Sequence, residues 1–269
     1  MAWVNAEAEQ SDSFIRAAKA AWVKIITVGR KGETIRLDRR EDRGGAQSLT
    51  LHFGGKIFYV ELPQAGDFQA SNALVAAGLA IGLLDENERE DAARVFKALE
   101  HLKGAPGRLQ HVGAGPRGGE AYVDYAHTPD GLETVLTALR PHTAGKLIVV
   151  FGAGGDRDRG KRPQMGGIAA RLADVAIVTD DNPRSEVPAA IRAEILAAAP
   201  GAREIGDRRE AIRAAAALLG QGDVLVVAGK GHEQGQLVAG VNHPFDDVSE
   251  TAAALGAALR DRLAERGIE

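Results

Sequence analysis

Continuous apolar runs alternate with helical segments through the second half of this chain, and that alternation is the strongest constraint on its fold. Strands so uniformly apolar predict a parallel sheet with helices covering both faces. We expect strand and helix pairs at 121–124 and 128–140, 147–151 and 162–172, 175–179 and 188–199, and 203–205 and 208–219, then a strand at 224–228 and a helix at 249–266. In such sheets ligands bind beyond the carboxyl ends of the strands.

The first half of the chain has a different pattern. Strands are predicted at 1–5, 24–28, 34–37, 48–53 and 56–60, and helices at 11–21, 66–84 and 88–100. In the first helix, Phe14 and Trp22 would share one face. Gly54 and Gly55 lie between two short alternating runs, which indicates a hairpin. The Gly- and Pro-containing segment 103–107 breaks the pattern, so we predict domains at 1–105 and 106–269.

Composition excludes several classes of function. The net charge of -4, without a block of like charges, argues against nucleic-acid binding. The chain has no cysteine, which excludes disulfides, thiolate zinc sites and cysteine nucleophiles. It contains neither an apolar run of about 18 residues nor the pattern of a signal peptide. We therefore expect a soluble cytoplasmic protein that does not bind membranes.

Loops at two predicted strand ends carry more polar residues than a turn requires. Thr128 and Pro129 are typical of a helix N-cap and first helical residue, which leaves Asp124 and His127 without a structural explanation. The glycine-rich loop 152–163 contains four Lys or Arg and two Asp, and a helix is predicted after it. Its glycines and that helix N-terminus would suit an anion, although a turn with solvated charges also fits.

Two later strand ends are equally unusual. Asn-Pro within 181–184 is common in turns. The Arg of the same segment is a forked donor for a carboxylate, whereas its Asp and Asn can accept from an ammonium, so the segment also has the chemistry of an amino-acid clamp. In the loop 227–233, Lys230 lies between two glycines, but neither this loop nor the rest of the sequence contains the P-loop pattern Gly-x-x-x-x-Gly-Lys-Ser/Thr.

Two other patterns do not predict sites. The segment 113–118 matches Gly-x-Gly-x-x-Gly, but it contains Pro116 and a strand follows it, so we interpret it as a hairpin loop. His127 and His232 lack further ligands at close spacing, so we predict no metal site within this chain.

The four polar loops together resemble the signature segments of the Mur ligases, and most closely those of the MurE branch. The resemblance extends from about Asn72 to the C-terminus. It is carried, in order, by Asp124-Tyr-Ala-His-Thr-Pro-Asp130, Gly154-Gly-Asp-Arg-Asp-Arg-Gly-Lys-Arg-Pro163, Asp181-Asn-Pro-Arg184 and Gly229-Lys-Gly-His-Glu233. One such segment would be modest evidence, but four in order at strand ends are strong.

The resemblance implies an α/β fold in which a remnant of a central P-loop-type ATPase domain precedes a Rossmann-like, mostly parallel C-terminal domain. It also implies an ATP-dependent amide ligase of peptidoglycan synthesis. ATP and Mg²⁺ convert the carboxylate of UDP-MurNAc-L-Ala-D-Glu to an acyl phosphate, which the amino group of meso-diaminopimelate attacks. Phosphorylation supplies the leaving group, and magnesium and basic side chains offset the developing charge. We expect a monomer.

The same resemblance implies roles for individual residues. Arg184 and Asn182 would hold the distal end of diaminopimelate, with Arg184 on its carboxylate and Arg157 as a second carboxylate contact. Gly229 and Glu233 would receive the distal ammonium. The rest of the diaminopimelate signature is Asp181 and Pro183. The positions that resemble ATP contacts are Asn72, Arg108, Asp124 and His127.

The P-loop, the magnesium ligands and the carbamylated Lys of the family have no counterpart in this sequence. We therefore expect a truncated chain that cannot form the acyl phosphate alone, so that ATP-dependent turnover by it would contradict the hypothesis. The alternatives are a ligase that adds lysine or another diamino acid, a folylpolyglutamate synthetase, an amino-acid-binding module without catalysis, and an inert fragment. A folylpolyglutamate synthetase would not be expected to carry the segment 181–184.

Overall fold

The chain folds into two compact units, each with its own hydrophobic core. The computed structural model describes residues 1–43, 45–83 and 92–265. The units are Met1–Lys103 and Gly104–Glu269. None of the helices in the described ranges combines the length and the apolar character that crossing a membrane requires.

The first unit is a five-stranded mixed sheet with helices. Its elements are, in order, β1 (Ala2–Asn5), α1 (Ser11–Ala20), β2 (Ile25–Gly29), β3 (Ile35–Asp42), β4 (Gln47–Phe53), β5 (Lys56–Leu62), α2 (Asp67–Leu83) and α3 (Ala92–Leu99). The spatial order follows the sequence, with β1, β2 and β3 parallel and β3, β4 and β5 antiparallel. The predicted helix ends at Leu84 and at 88–91 lie outside the described residues.

Local sequence explains the hairpin of this unit but not its first helix. Gly54 and Gly55 both have positive φ, of 56° and 75°, which a two-residue hairpin turn of primed type requires. The predicted common face of Phe14 and Trp22 is wrong, because Trp22 lies outside α1; Phe14 is 64% exposed and Trp22 is 96% exposed. Helix α1 ends at Ala20, and Trp22 has a φ of 54°, so it does not continue the helical spacing.

The second unit has a six-stranded sheet between two layers of helices. Its elements are, in order, β6 (Gln110–Ala114), β7 (Glu120–Asp124), α4 (Pro129–Leu139), β8 (Leu147–Phe151), α5 (Lys161–Leu172), β9 (Val175–Val178), α6 (Pro188–Leu196), β10 (Arg203–Glu204), α7 (Arg208–Leu218), β11 (Val224–Ala228), β12 (Gly235–Val238), β13 (Val241–Pro244) and α8 (Asp247–Glu265). The sheet order is β10-β9-β8-β11-β7-β6, and only β6 is antiparallel to its neighbour among these described strands. The predicted α/β class with a mostly parallel sheet is confirmed.

This topology brings the four polar loops to one edge. Strands β7, β11, β8 and β9 are parallel neighbours, so their carboxyl ends lie side by side. Thr128 caps α4 by accepting a hydrogen bond from the Gly131 amide at 3.2 Å, as predicted. The segment 113–118 joins the antiparallel strands β6 and β7, which confirms the hairpin interpretation.

The antiparallel pair β12 and β13 was not predicted. The end of the chain also differs from the prediction, because α8 begins at Asp247 rather than at Ser249. The Asp246 carboxylate accepts a hydrogen bond from the Ser249 amide, so Asp246 caps the helix; the sequence pattern favoured Ser249 as the N-cap, and that prediction is wrong. The predicted last residue of this helix, Arg266, lies outside the described part of the chain.

A buried ion pair ties α7 to α8. The side chains of Arg208 and Asp247 are both fully buried and form two hydrogen bonds, of 2.8 and 2.7 Å. Arg208 also donates to the carbonyl of Ala228 at 3.0 Å, at the carboxyl end of β11. Burial opposes the charge of Arg208, but Asp247 outweighs that effect and raises the pKa of the guanidinium. The pair therefore fixes both helices to the strand end.

We expect Asp247→Asn to destabilise the second unit by about 3–5 kcal/mol, because it leaves a buried guanidinium without its counter-charge. The matched control is Glu250→Gln, which breaks the Arg209–Glu250 pair between the same two helices. Arg209 is 57% exposed, so this loss should stay below about 1 kcal/mol.

Both tryptophans, Trp3 and Trp22, lie in the first unit, so their fluorescence does not report on α7 and α8. Amide hydrogen exchange of the two helices in denaturant measures the effect, with tryptophan fluorescence as the internal reference. Equal losses of unfolding free energy in Asp247→Asn and Glu250→Gln would contradict the special role of the buried ion pair.

Candidate functional site

A cavity of about 540 Å³ opens at the carboxyl edge of the second unit's sheet. Its wall is built from the loops after β7, β8, β9 and β11, as predicted for a parallel sheet. The lining residues are Tyr125, His127, Thr128, Pro129, Gly154, Arg157, Asp158, Lys161, Asp181, Asn182, Arg184, Gly229 and Glu233. Six of the seven residues predicted for diaminopimelate are therefore brought together, and Pro183 is buried behind them.

Hydrogen bonds join the loop after β8 to the segment 181–186. The amide of Gly155 donates to the Asn182 carbonyl at 2.9 Å, and Arg184 Nη1 donates to the Gly155 carbonyl at 2.8 Å. The Asp156 carboxylate accepts from the amide and the hydroxyl of Ser185, at 3.1 and 2.7 Å. The two loops consequently form a single frame, although they follow different strands.

A buried arginine of α5 stabilises this frame. Arg162 is fully buried and holds Glu186 with two hydrogen bonds, of 2.7 and 3.0 Å, and Glu194 with a third of 3.0 Å. Hydrogen bonds from Arg162 and from the Asp156 amide lower the pKa of Glu186 to about 2. Glu186 is therefore ionised at neutral pH, and the charge-assisted bonds are fully present.

The predicted carboxylate ligand Arg184 has an unusual backbone. Its φ is 54°, in the left-handed region that only glycine adopts without cost. The unpredicted strand β12 compensates, because the Arg184 amide donates to the Leu237 carbonyl at 3.0 Å and the Arg184 carbonyl accepts from the Ala239 amide at 2.7 Å. The hairpin of β12 and β13 thus holds Arg184 where its guanidinium lines the cavity.

Asn182 lies at the centre of a buried polar cluster. Its Oδ1 accepts from Lys230 Nζ at 2.8 Å and from the Leu237 amide at 2.9 Å, and its Nδ2 donates to Glu233 Oε2 at 3.0 Å. Lys230 is fully buried and donates also to the Gly235 carbonyl at 2.8 Å. Burial lowers the pKa of Lys230, although nearby carboxylates oppose that change. Asn182 therefore connects the buried Lys230 to Glu233, which lines the cavity.

Asp181 and Gly229 approach each other although they follow β9 and β11, which have β8 between them in the sheet. Asp181 is 5% exposed, and its Oδ1 lies 3.7 Å from Lys230 Nζ. Gly229 has a φ of 125°, and a Cβ at this position would lie 2.7 Å from Asp181 Oδ2. Glycine is required here for both reasons, since any side chain would displace the carboxylate.

Two further cations line the cavity from the loop after β8 and the start of α5. Arg157 is exposed, with Nη1 donating to the Asp156 carbonyl at 3.1 Å. Lys161, the first residue of α5, donates from Nζ to the His127 carbonyl at 2.9 Å. Burial lowers the pKa of Lys161, and Asp181 partly offsets this. The cavity is thus lined by both cations and carboxylates.

The four residues predicted to contact ATP are not gathered around the cavity as the predicted diaminopimelate residues are. His127 lines the cavity, whereas Asp124 is buried behind it. The Asp124 carboxylate accepts from the Leu109 and Ala126 amides, at 2.6 and 2.8 Å. Burial raises the pKa of Asp124, and these two hydrogen bonds oppose that change.

The other two predicted ATP contacts, Arg108 and Asn72, belong to different units. The Arg108 guanidinium lies 4.6 Å from the centre of the Tyr125 ring, a cation–π distance. Asn72 belongs to α2 of the first unit, where its Nδ2 lies 3.5 Å from Gln69 Oε1.

Several lining residues were not predicted as site residues. Asp158 and Lys161 belong to the glycine-rich loop that the sequence singled out, so their charge was the available signal. Thr128 and Pro129 had a sufficient explanation as capping residues, and Tyr125 carried no signal. Within the described ranges, no three His, Cys, Asp or Glu side chains converge in a way that could hold a metal ion.

Comparisons with known proteins agree with this architecture. Residues 107–231 match the family model described as Mur ligase, glutamate ligase domain, and residues 1–80 match the Mur ligase middle domain. The UDP-N-acetylmuramoyl-L-alanyl-D-glutamate--2,6-diaminopimelate ligase of Caulobacter vibrioides is 66% identical over 95% of this chain and 51% of its own length. The ligase of the same name from Brucella melitensis is 58% identical over 97% of this chain and 52% of its own.

A solved structure of a ligase with that name superposes with a TM-score of 0.68 at 37% identity, covering 95% of this chain and 53% of that one. The chain spans about half the length of the relatives it matches. The two family models together account for more than half of its residues, in the order that the predicted resemblance requires. The chain therefore belongs to the Mur ligase family.

Proposed function

We propose that this chain contributes the amino-acid-binding cavity of an ATP-dependent amide ligase that adds meso-diaminopimelate to UDP-MurNAc-L-Ala-D-Glu. The observation that carries the proposal is the cavity at the carboxyl edge of the second unit, where predicted carboxylate and ammonium ligands converge. The names of the relatives support the choice of substrates. ATP and a UDP-linked precursor also favour a cytoplasmic location.

The charges in the cavity suit a diamino dicarboxylic acid. Arg184 uses Nη1 for main-chain carbonyls, and a guanidinium has further donors that can receive a carboxylate as a pair. Arg157 adds a second cation on the same loop frame. Asp181 and Glu233 supply acceptors for an ammonium, and Gly229 leaves the space between them. Lysine would leave Arg184 without a carboxylate partner.

The residues of this chain act in the proposed reaction by holding the amino acid for attack. A carboxylate is a poor acyl donor, so ATP, when bound, supplies the phosphoryl group that activates it. We propose that His127 and Arg108 contact the nucleotide. The proposal gives Asp124 the role of fixing the turn that carries His127, because both of its oxygens already accept main-chain hydrogen bonds. We also propose Asn72 as a nucleotide contact. Among the described residues, no three His, Cys, Asp or Glu side chains converge where they could hold Mg²⁺.

We expect Arg184→Lys to weaken binding of meso-diaminopimelate about tenfold to hundredfold, because an ammonium cannot replace the paired donors of the guanidinium. Titration of the isotope-labelled chain followed by NMR measures affinities in this range. The control is Arg171→Lys, which alters an exposed ion pair with Glu133 on helix surfaces and should leave binding unchanged. Retained affinity in Arg184→Lys would contradict the clamp assignment.

We expect the unmodified chain to bind meso-diaminopimelate at least about tenfold more tightly than L-lysine, and Arg184→Lys to reduce this ratio, because only diaminopimelate has the distal carboxylate. Preferential binding of lysine would instead favour the lysine-adding alternative. No binding of either amino acid would refute the proposed function.

We expect these 269 residues alone to bind the amino acid without releasing phosphate from ATP, since their sequence contains no P-loop motif. A phosphate-release assay with ATP, Mg²⁺, UDP-MurNAc-L-Ala-D-Glu and meso-diaminopimelate tests this. Turnover would show that the chain supplies its own phosphate-binding residues and would refute the expectation.

A further inference from the structure

Lys230 is a fully buried lysine directly behind the cavity. Its Nζ donates to Asn182 Oδ1 and to the Gly235 carbonyl, each at 2.8 Å, and lies 3.7 Å from Asp181 Oδ1. Removing an ammonium from water is costly, so a buried lysine is stable only where several acceptors surround it. Here two of those groups, Asn182 and Asp181, belong to the cavity wall.

The contacts of Lys230 determine which way the Asn182 amide points. Lys230 and the Leu237 amide are both donors, so the atom between them must be the oxygen of Asn182. The amide nitrogen is then directed at Glu233 Oε2, 3.0 Å away. A rotated amide would place two N–H groups against an ammonium and an oxygen against a carboxylate, and both contacts would be repulsive.

Lys230 also places a cation beside the carboxylates that line the cavity. Its Nζ lies 3.7 Å from Asp181 Oδ1, and Asn182 connects it to Glu233. Lys161 bonds to the His127 carbonyl and is not directed at Asn182.

We propose that Lys230 is a positioning residue for the incoming amino acid: it fixes the Asn182 amide and, through it, Glu233 in the orientation that receives the substrate ammonium. The inference rests on the proposed function, because it assigns the ammonium to this wall. Lys230 acts from behind the wall and through Asn182, so its effect on binding depends on that side chain.

A double-mutant cycle on the affinity for meso-diaminopimelate tests the proposal. We expect Lys230→Met, which keeps the unbranched chain but lacks the ammonium, to weaken binding about tenfold to hundredfold, since buried groups lose their hydrogen-bond partners. In an Asn182→Ala background the same substitution should weaken binding only about two- to threefold, because the amide that it orients is already absent. NMR titration gives all four affinities.

A purely structural role would lower stability without this coupling. Thermal unfolding of each variant is therefore measured beside binding, and Lys230→Gln, which keeps a donor for Asn182 Oδ1, should recover part of the affinity that Lys230→Met loses. If Lys230→Met does not fold, the comparison is made between Lys230→Gln and the unmodified chain in both backgrounds.

Unchanged affinity in Lys230→Met, or equal losses with and without Asn182, would overturn the proposal. These outcomes are distinct from failure of the proposed function, in which the unmodified chain itself would not bind meso-diaminopimelate. Full coupling between Lys230 and Asn182, with partial recovery by Lys230→Gln, would support it.

Discussion

The geometry of the cavity depends on hydrogen bonds between two loops that follow different strands. Neither the loop after β8 nor the segment 181–186 has the regular bonding of a helix or a strand, so neither would keep its shape alone. The Gly155 amide donates a hydrogen bond to the Asn182 carbonyl, which joins their main chains. Arg162 adds a further link by binding Glu186. The cost of holding Arg184 in a left-handed conformation is offset by this frame and by strand β12. A rigid site is thereby built from irregular segments.

The parallel sheet supplies the second requirement, which is that distant parts of the sequence meet. Buried strands β7, β8, β9 and β11 place four loops side by side, and the ion pair of Arg208 and Asp247 anchors the end of β11 to helices α7 and α8. That anchor acts together with the direct hydrogen bonds that Lys230 and Glu233 form with Asn182, which fix the residues after Ala228 relative to the segment 181–184. The order of the strands and the buried ion pair thus fix the relative positions of loops that are distant in sequence, whereas the hydrogen bonds between loops fix their local shape.

Much of this arrangement could be predicted from sequence, because apolar periodicity and strand-end position are local signals. The strands at 147–151 and 224–228 were predicted to the residue, and the convergence of Arg157, Arg184 and Glu233 follows from parallel order. The hairpin of β12 and β13 was missed because its half-buried and exposed residues carry no apolar alternation. The exposure of Trp22 was missed because a left-handed residue after Ala20 ends the helical spacing, and sequence alone does not show that.

Charge alone does not show which cations line the cavity, and the family resemblance named Arg157 and Arg184 but not Lys161. The glycine-rich loop and its neighbours contain many arginines and lysines of equal formal charge, and composition treats them alike. Burial separates them: Arg162, Arg208 and Lys230 are fully buried and bonded to acceptors of the protein, whereas Arg157, Lys161 and Arg184 line the cavity. The three buried cations hold the carboxylates and main-chain carbonyls that shape the cavity wall, and the position of the three cavity-lining cations depends on that wall. The proposed recognition of a diamino dicarboxylic acid therefore uses two sets of cations, because a side chain that neutralises buried carboxylates has few donors left for a ligand.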